Sequence, residues 1–348
     1  MVWMPARSPD ASEVVVIGGG IVGSSIAWRL AQAGAGVMLV DMGTLGGEAS
    51  WAGAGMLAPG GEIAGRSGWA EFALQSMALY PEFVAELKSE AGIEIDYRRC
   101  GGIEIARTEA EWQELLARRA AQSELGIRAD VTVSGLFYTD DAMVDPREVM
   151  RALRSVCEKR GVRICEHTPV RAVRVSRDRA EIETDTGVLC GSAAVLAAGA
   201  WSGAIAVSGS GGRIPIPASF PVRGHLLGYG MKPGSLGPIL RHGHTYVMQR
   251  SSGFTIAGTS SEQVGFDRTL DPQILADIHA RAIELLPELG AAAAPTAWLG
   301  FRPAVEGFEP RIGRVDQTCL WLAYGHYRNG ILLAPVTSAR IAGEMVCA

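Results

Sequence analysis

The 348-residue chain is poor in aromatic side chains, at 7%, and modest in charge, at 20%. With 48% hydrophobic residues the balance is that of an ordinary globular protein. The net charge of −5 removes the electrostatic case for nucleic acid or an anionic membrane surface as partner. No stretch approaches the ~20 consecutive apolar residues of a membrane-spanning helix. The amino-terminal "MVWMPARSPDASE" lacks the apolar core of a signal peptide. None of the six cysteines (Cys100, Cys157, Cys165, Cys190, Cys319, Cys347) stands in C-x-x-C spacing, which argues against a zinc or dithiol site. Scattered thiols of this kind fit a cytoplasmic enzyme with buried, unpaired cysteines. No metal is expected.

Glycine, by contrast, is abundant, with 44 residues. Close backbone packing, or close approach of backbone to a ligand, explains such an excess. Four of these residues fall in "VVVIGGGIVGSSIAWRL", the stretch from Val14 to Leu30. Val14–Ile17 reads as a strand buried on both faces. The segment 21–33 reads as a helix, with Val22, Ile26, Leu30 and Ala33 on one stripe. Val37–Val40 is a second buried strand that stops at Asp41. Gly18, Gly20 and Gly23 between these elements form G-x-G-x-x-G. The first makes the tight turn, the second admits a pyrophosphate, and the third lets helix and strand pack closely. The helix N-terminus offers amide donors to the phosphates, and Asp41 stands where a carboxylate holds ribose hydroxyls. The context is that of a dinucleotide site, and the triplet alone does not separate NAD from FAD.

Two later stretches lean towards FAD. "VLAAGAWSG" is a second buried strand with a glycine turn, suited to covering an extended dinucleotide. "YGHYRNG" sets a polar loop before the last helix, whose N-terminus can stabilise negative charge on a reduced ring. Elsewhere, helices are expected over 80–90, 109–125, from Pro146 through Cys157, and over 272–286. "IEIDYRRCGGIEIA" reads as two strands around a turn at Gly101-Gly102, and 213–260 as mostly strand.

Taken together, "GGEASWAGAGMLAP", "VDPREVMRAL", "EHTPV", "AAGAWSG", "PVRG", "TYVMQR", "GFRPAVEGFEPRIG" and "GHYRNGILLAPVT" follow the glycine triplet in an order that resembles the D-amino acid oxidase family, in its glycine oxidase branch. The resemblance implies an α/β fold: a Rossmann-type FAD-binding domain with an inserted α+β substrate domain rich in antiparallel sheet. On that basis residues 1–85, 146–212 and 297–348 are assigned to a discontinuous FAD-binding domain, and 86–145 with 213–296 to the substrate-binding domain. It also implies noncovalent FAD and oxidative deamination of glycine, sarcosine or a small D-amino acid. Oxygen is then the acceptor, giving an imine and hydrogen peroxide, and the imine hydrolyses to the keto acid or enters thiamine thiazole synthesis. The oligomeric state, homo-oligomer included, stays open.

Carried over position by position, the resemblance puts Ile21 and Val22 behind the phosphate turn and Asp41 and Met42 at the ribose. It adds Ala49, Ser50, Ala54, Gly55, Met56, Val170 and the run His326, Tyr327, Arg328, Asn329, Gly330, Ile331 and Leu332 as FAD contacts. Tyr246, Arg302 and Arg328 become the substrate contacts. Asp41 departs from the glutamate common in relatives but keeps the ribose chemistry. Arg311 in "GFEPRIG" also departs from them and is expected near a loop bordering the site. Two further readings of the chain are a dehydrogenase with another acceptor and a flavin-binding module without turnover.

Read from its residues alone, Arg302 has two explanations of equal standing. It binds a substrate carboxylate, or it pairs with a protein carboxylate; the resemblance favours the first. Tyr246 similarly either donates to that carboxylate or packs in the core. His242, His244 and His326 are read as nonligands. No general base is assigned, because an amine that binds neutral needs none.

Overall fold

The computed structural model describes residues 14–347. The stretch read above as lacking a signal peptide lies outside these described residues. Val14–Ile17 is the centre of a six-stranded sheet and is buried throughout. It pairs in parallel with Val37–Val40 on one side and Ala193–Leu196 on the other. Arg163–Cys165 and Leu320–Tyr324 extend the parallel sheet, and Arg311–Arg314 closes one edge antiparallel. Such a sheet needs cover on both faces. Part of that cover comes from α1 (Ile21–Gln32), where Ile26, Ala27, Trp28 and Leu30 are all at or below 1% exposure.

Four further helices matter to the site. After the first two strands of the sheet come α2 (Ala49–Ala52), α3 (Gly68–Ala91), α4 (Glu109–Ser123) and α5 (Pro146–Lys159). Asp145 caps the last of these through the Arg147 amide, with Pro146 in its first turn, as expected from sequence. The structure extends the expected 80–90 helix by three turns towards the N-terminus. It runs through Pro81, and Ala70, Ala73, Ser76, Tyr80, Phe83 and Leu87 form one buried stripe. The Ser76 hydroxyl donates to the Leu332 carbonyl at 2.6 Å and ties α3 to the chain's last helix.

A second large sheet of eight strands stands beside the first. Its backbone is the pair Ser219–Gly230 and Thr296–Val305, antiparallel from Ser219 opposite Val305 to Gly228 opposite Thr296. Next come Phe254–Gly258, Thr245–Gln249 and Ile239–His242, then Gly102–Ile105, Gly135–Tyr138 and Ala129–Val131. Pro272–Leu285 is the helix α6 packed on this sheet, capped by Asp271 and matching the expected span. The two strands expected around Gly101-Gly102 both exist but do not pair with each other. Tyr97–Arg98 pairs with Ala142–Val144, whereas Gly102–Ile105 enters the eight-stranded sheet. Gly101, at φ +72°, redirects the chain from a small three-stranded sheet (Met56–Leu57, Ala142–Val144, Tyr97–Arg98) into the eight-stranded one. The residues 297–305, grouped above with the FAD-binding segments, run inside the eight-stranded sheet.

The final helix, α7 (Gly330–Val346), returns the chain to the first sheet and packs against α1 and α3. No helix among the described residues is long and apolar enough to cross a membrane.

Leu39 is fully buried in the first sheet. Leu39→Ala is expected to destabilise the protein by about 2–5 kcal/mol through lost transfer energy and a residual cavity. Urea unfolding at one fixed FAD concentration checks this, since bound ligand itself adds stability.

Candidate functional site

A cavity of about 430 Å³ lies between the two sheets. One wall is the turn after Val14–Ile17. Gly18 has φ +105°, and a Cβ there would stand 2.3 Å from the Ala197 carbonyl oxygen. A Cβ on Gly23 would stand 1.9 Å from the Gly18 carbonyl oxygen, so this glycine allows the helix to seat on the strand. Gly23 accordingly does not line the cavity, while Gly18, Gly20, Ile21 and Val22 do. At Gly20 a Cβ would meet only the Ser50 Oγ, at 3.3 Å, and would otherwise enter open cavity. The Ile21 amide donates to Ser50 Oγ at 2.9 Å. Amides in the first turn of a helix have no intrahelical acceptor, so the N-terminus of α1 offers its donors here.

Asp41 reaches the same wall. It accepts from the Gly19 amide at 2.6 Å and the Gly43 amide at 2.8 Å. Burial raises its carboxyl above the ordinary range, and those two hydrogen bonds oppose the rise. Met42 and Ala49 line the cavity beside it. Ala54, Gly55 and Met56 line the next stretch, where Gly55, at φ +86°, lies against the Val144 carbonyl. The Arg250 guanidinium donates to the carbonyls of Ala54 and Val144, and Trp298 Nε1 donates to the Ala52 carbonyl at 2.9 Å. The second sheet thus grips this loop directly. Val170 closes one end of the wall.

Opposite stands the loop before α7. His326, Tyr327, Arg328, Asn329, Gly330 and Ile331 all line the cavity. Leu332 does not: it is 2% exposed, packed in the core, and its carbonyl takes the Ser76 hydroxyl. The His326 ring is buried against Thr337 Oγ1 at 3.1 Å, and burial pulls its imidazole down to about 4. Arg328 pairs with Glu62 at 3.1 Å, and Asn329 Nδ2 donates to the other Glu62 oxygen at 2.9 Å. Glu62 lines the cavity and braces this loop, a role no motif in the sequence signals.

Tyr246 and Arg302 meet in the same cavity from different strands of the eight-stranded sheet. Burial pushes the Tyr246 phenol up to about 12, so it is a protonated donor at neutral pH. Gly258 sits opposite it, and a Cβ there would stand 2.6 Å from the Tyr246 hydroxyl. Arg302 donates to Thr259 Oγ1 at 2.7 Å and to the Ser260 carbonyl at 3.0 Å. Burial lowers its guanidinium from the ordinary value. Among the described residues it makes no ion pair. The nearby carboxylate of Glu262 is instead taken by Arg223, His225 and Ser260. Arg302 is therefore held by dipoles and lacks a counter-ion, against the reading of it as a structural pair.

Arg311 is corrected. It lies in the antiparallel edge strand, donates to the Glu306 carbonyl at 3.0 Å, and does not line the cavity. The expectation rested on proximity in sequence, but the turn at 306–310 carries the chain out of the eight-stranded sheet to the edge of the six-stranded one. His244 lines the cavity, whereas His242 faces Glu111 at 3.1 Å. Trp201, Thr259, Arg241 and Glu104 also line it without having been singled out. Trp201 at least stood inside the recognised "AAGAWSG"; Thr259 and Glu104 carry no signal in sequence.

The family model for DAO, FAD dependent oxidoreductase, matches residues 13–345. Glycine oxidase of Bacillus subtilis is 32% identical over 343 residues, covering 95% of this chain and 92% of that protein. The bifunctional protein ThiO/ThiG of Synechocystis is 34% identical over 95% of this chain, which spans only 51% of that longer relative. The crystal structure of glycine oxidase from Geobacillus kaustophilus superimposes with a TM-score of 0.89 at 28% identity, covering 97% of this chain and 95% of that one.

Two outcomes are expected from this geometry. Gly20→Val leaves the fold intact, because its side chain enters the cavity and not the core, yet removes bound FAD; absorbance per folded chain measures it. His326 binds a proton in the unfolded chain below its ordinary 6.5 but refuses it when folded until about pH 4. Stability therefore rises with pH across that window and falls on acidification, by on the order of a few kcal/mol towards pH 4.5. Unfolding of His326→Gln from pH 7 to 4.5 is expected to show a correspondingly shallower loss than the parent.

Proposed function

The chain belongs to the DAO family of FAD dependent oxidoreductases, and from that membership we propose that it oxidises glycine or another small amino acid, such as sarcosine or a small D-amino acid, to the imine. Oxygen is the acceptor and hydrogen peroxide the second product. The observation that carries the reading is Arg302: a largely buried cation with no ion-pair partner among the described residues, beside a protonated Tyr246, in the cavity that the glycine turn opens into. A substrate carboxylate is the counter-ion this arrangement lacks.

The residues fit the cofactor. Gly18, Gly20, Ile21 and Val22 leave space and amide donors for a pyrophosphate, and Asp41 and Met42 stand at the ribose position. Ala49, Ser50, Ala54, Gly55, Met56 and Val170 form the long wall, and His326 to Ile331 the opposite one. Bound FAD supplies the acceptor for the hydride and the passage of electrons to oxygen. The protein supplies position. Arg302 takes the carboxylate in two parallel hydrogen bonds, with Thr259 and the Ser260 carbonyl fixing the guanidinium plane. Tyr246 donates to the same carboxylate. Arg328, tethered by Glu62, lies over the substrate end. We assign no general base; an amine that binds neutral requires alignment and a dry site only.

We read the chain as two functional parts, with 1–85, 146–212 and 306–348 holding FAD, and 86–145 with 213–305 shaping the substrate site. The shift of the last boundary follows the sheet pairing of Thr296–Val305. The name of the Synechocystis relative supports a place in thiamine thiazole formation, and we read the chain as a cytoplasmic enzyme.

Peroxide release from a panel of small amino acids in air, paired with anaerobic bleaching of the flavin, tests the reaction. Bleaching without peroxide in air would mean a different acceptor. Arg302→Lys is expected to keep fold and FAD but to lose a charge-assisted hydrogen bond of about 1.5–3 kcal/mol. That is roughly ten- to a hundredfold in kcat/KM, with kcat falling as well as KM rising. An unchanged kcat/KM at full FAD content would take Arg302 out of the site.

A further inference from the structure

Arg302 and Tyr246 stand on strands that are not neighbours. In the eight-stranded sheet Thr296–Val305 is followed by Ser219–Gly230, then Phe254–Gly258, then Thr245–Gln249. Adjacent strands lie ~4.8 Å apart, so the backbones that carry the two side chains are ~14 Å apart. Side chains that stood upright on the sheet, as strand residues ordinarily do, would leave their polar ends about as far apart. They converge only by leaning inwards across the two strands between them. Each of those strands carries a glycine at the place that is crossed.

Arg302 pairs with Val222, so Gly224, two residues on, shares its face of the sheet. An added Cβ on Gly224 would stand 2.5 Å from Arg302 Cζ and Nη1, and closer still to Nη2. The guanidinium therefore lies on the bare backbone of Gly224. Tyr246 pairs with Gly258, which in turn pairs with Leu226, again on that face. An added Cβ on Gly258 would stand 2.6 Å from the Tyr246 hydroxyl oxygen and 2.7 Å from its Cζ. Burial raises the Tyr246 phenol and the Arg302 charge opposes that rise, as expected of two groups that approach each other. Neither glycine has a positive φ, so the backbone does not require glycine at either place. Glycine inside a sheet weakens it and marks a close approach. Here a side chain makes that approach, once from each side.

We infer that Gly224 and Gly258 are positioning residues of the substrate site: together they form a floor without side chains, on which Arg302 and Tyr246 lie so that guanidinium and phenol reach the same carboxylate. The inference rests on the reading of Arg302 and Tyr246 as the carboxylate contacts. Gly224 and Gly258 touch no substrate in this account. They act through the two side chains that cross them, and Thr259 and the Ser260 carbonyl then hold the lowered guanidinium at its outer edge.

Gly224→Ala is the direct test. The added Cβ meets the far end of a flexible side chain and no backbone, so the guanidinium moves and the sheet stays. The FAD-loaded variant is expected to keep its FAD and to bind acetate, a carboxylate with no amine to oxidise, roughly ten- to a hundredfold more weakly than the parent. That is the range for loss of a charge-assisted hydrogen bond. Calorimetry reads the affinity. Urea unfolding at one fixed FAD concentration then reads whether the glycine acts through Arg302. Gly224→Ala is expected to lower the midpoint where Arg302 is present and not in an Arg302→Ala background, where the Cβ has the vacated space. Gly258→Ala is expected to behave alike, with Tyr246→Ala as the background that relieves it. Unchanged acetate affinity in Gly224→Ala overturns the floor, as does a fall in midpoint of equal size without Arg302. Should Gly224→Ala alone fail to fold, a folded Gly224→Ala/Arg302→Ala protein supports the floor, and failure of both overturns it, since glycine then serves the sheet alone. If the parent itself binds no acetate, the carboxylate reading of Arg302 falls and the floor with it; if parent and Gly224→Ala bind it equally, only the floor falls.

Discussion

A turn or a helix can press its backbone against another segment only where a glycine removes the Cβ that would stand between them. At the start of this fold a Cβ on Gly23 would lie 1.9 Å from the Gly18 carbonyl oxygen, and one on Gly18 would lie 2.3 Å from that of Ala197. These contacts lock three elements at one point: the central strand, the first helix and the turn after Ala193–Leu196. The donors of the helix N-terminus then open into the cavity, and Asp41 is held in place by the Gly19 and Gly43 amides. Everything on the nucleotide side of the cavity inherits its position from that approach.

The opposite side depends on charge. Arg302 enters the cavity from a long strand whose pairing with Ser219–Gly230 fixes it over ten positions. It is kept there by a hydroxyl and carbonyl groups, while Arg223 and His225 engage the nearby carboxylate of Glu262. Dipoles solvate a buried cation without neutralising it, so affinity for an anion is retained. Tyr246, beside it, is kept protonated by burial. The two sheets are then joined by groups that are not themselves reactive: Arg250 on the carbonyls of Ala54 and Val144, Trp298 on that of Ala52, and Glu62 on the loop before α7. These contacts bring the glycine-turn wall and the strands that carry Tyr246 and Arg302 to one cavity.

The nucleotide half was legible in the sequence because its signals are local. A four-residue apolar run, three glycines at fixed spacing, a stripe at helical period and an acid at the end of the next strand lie within 28 residues, Val14 to Asp41, and each states its own conformation. The same holds for Asp145-Pro146 and Asp271-Pro272, which announce the starts of α5 and α6. Tyr246 and Arg302 could be named from the motifs around them, yet not given a role from residue type alone. Whether an arginine on a strand is paired depends on residues far away in the chain.

What only the tertiary structure decided is of that nonlocal kind. The strands on either side of Gly101 part company into two sheets, since strand partners are chosen by elements about 30 or more residues distant. Leu332 and Gly23 turn from the cavity into the core, and Arg311 turns away along a sheet edge. Glu62, Thr259, Arg241 and Glu104 become cavity residues with no motif to mark them. The sequence by itself determined the elements whose conformation a few adjacent residues can specify, and with them the class of cofactor. Which charges are left without partners, and therefore what the cavity binds, was settled only when distant strands were paired, because an electrostatic balance is a property of neighbours in space.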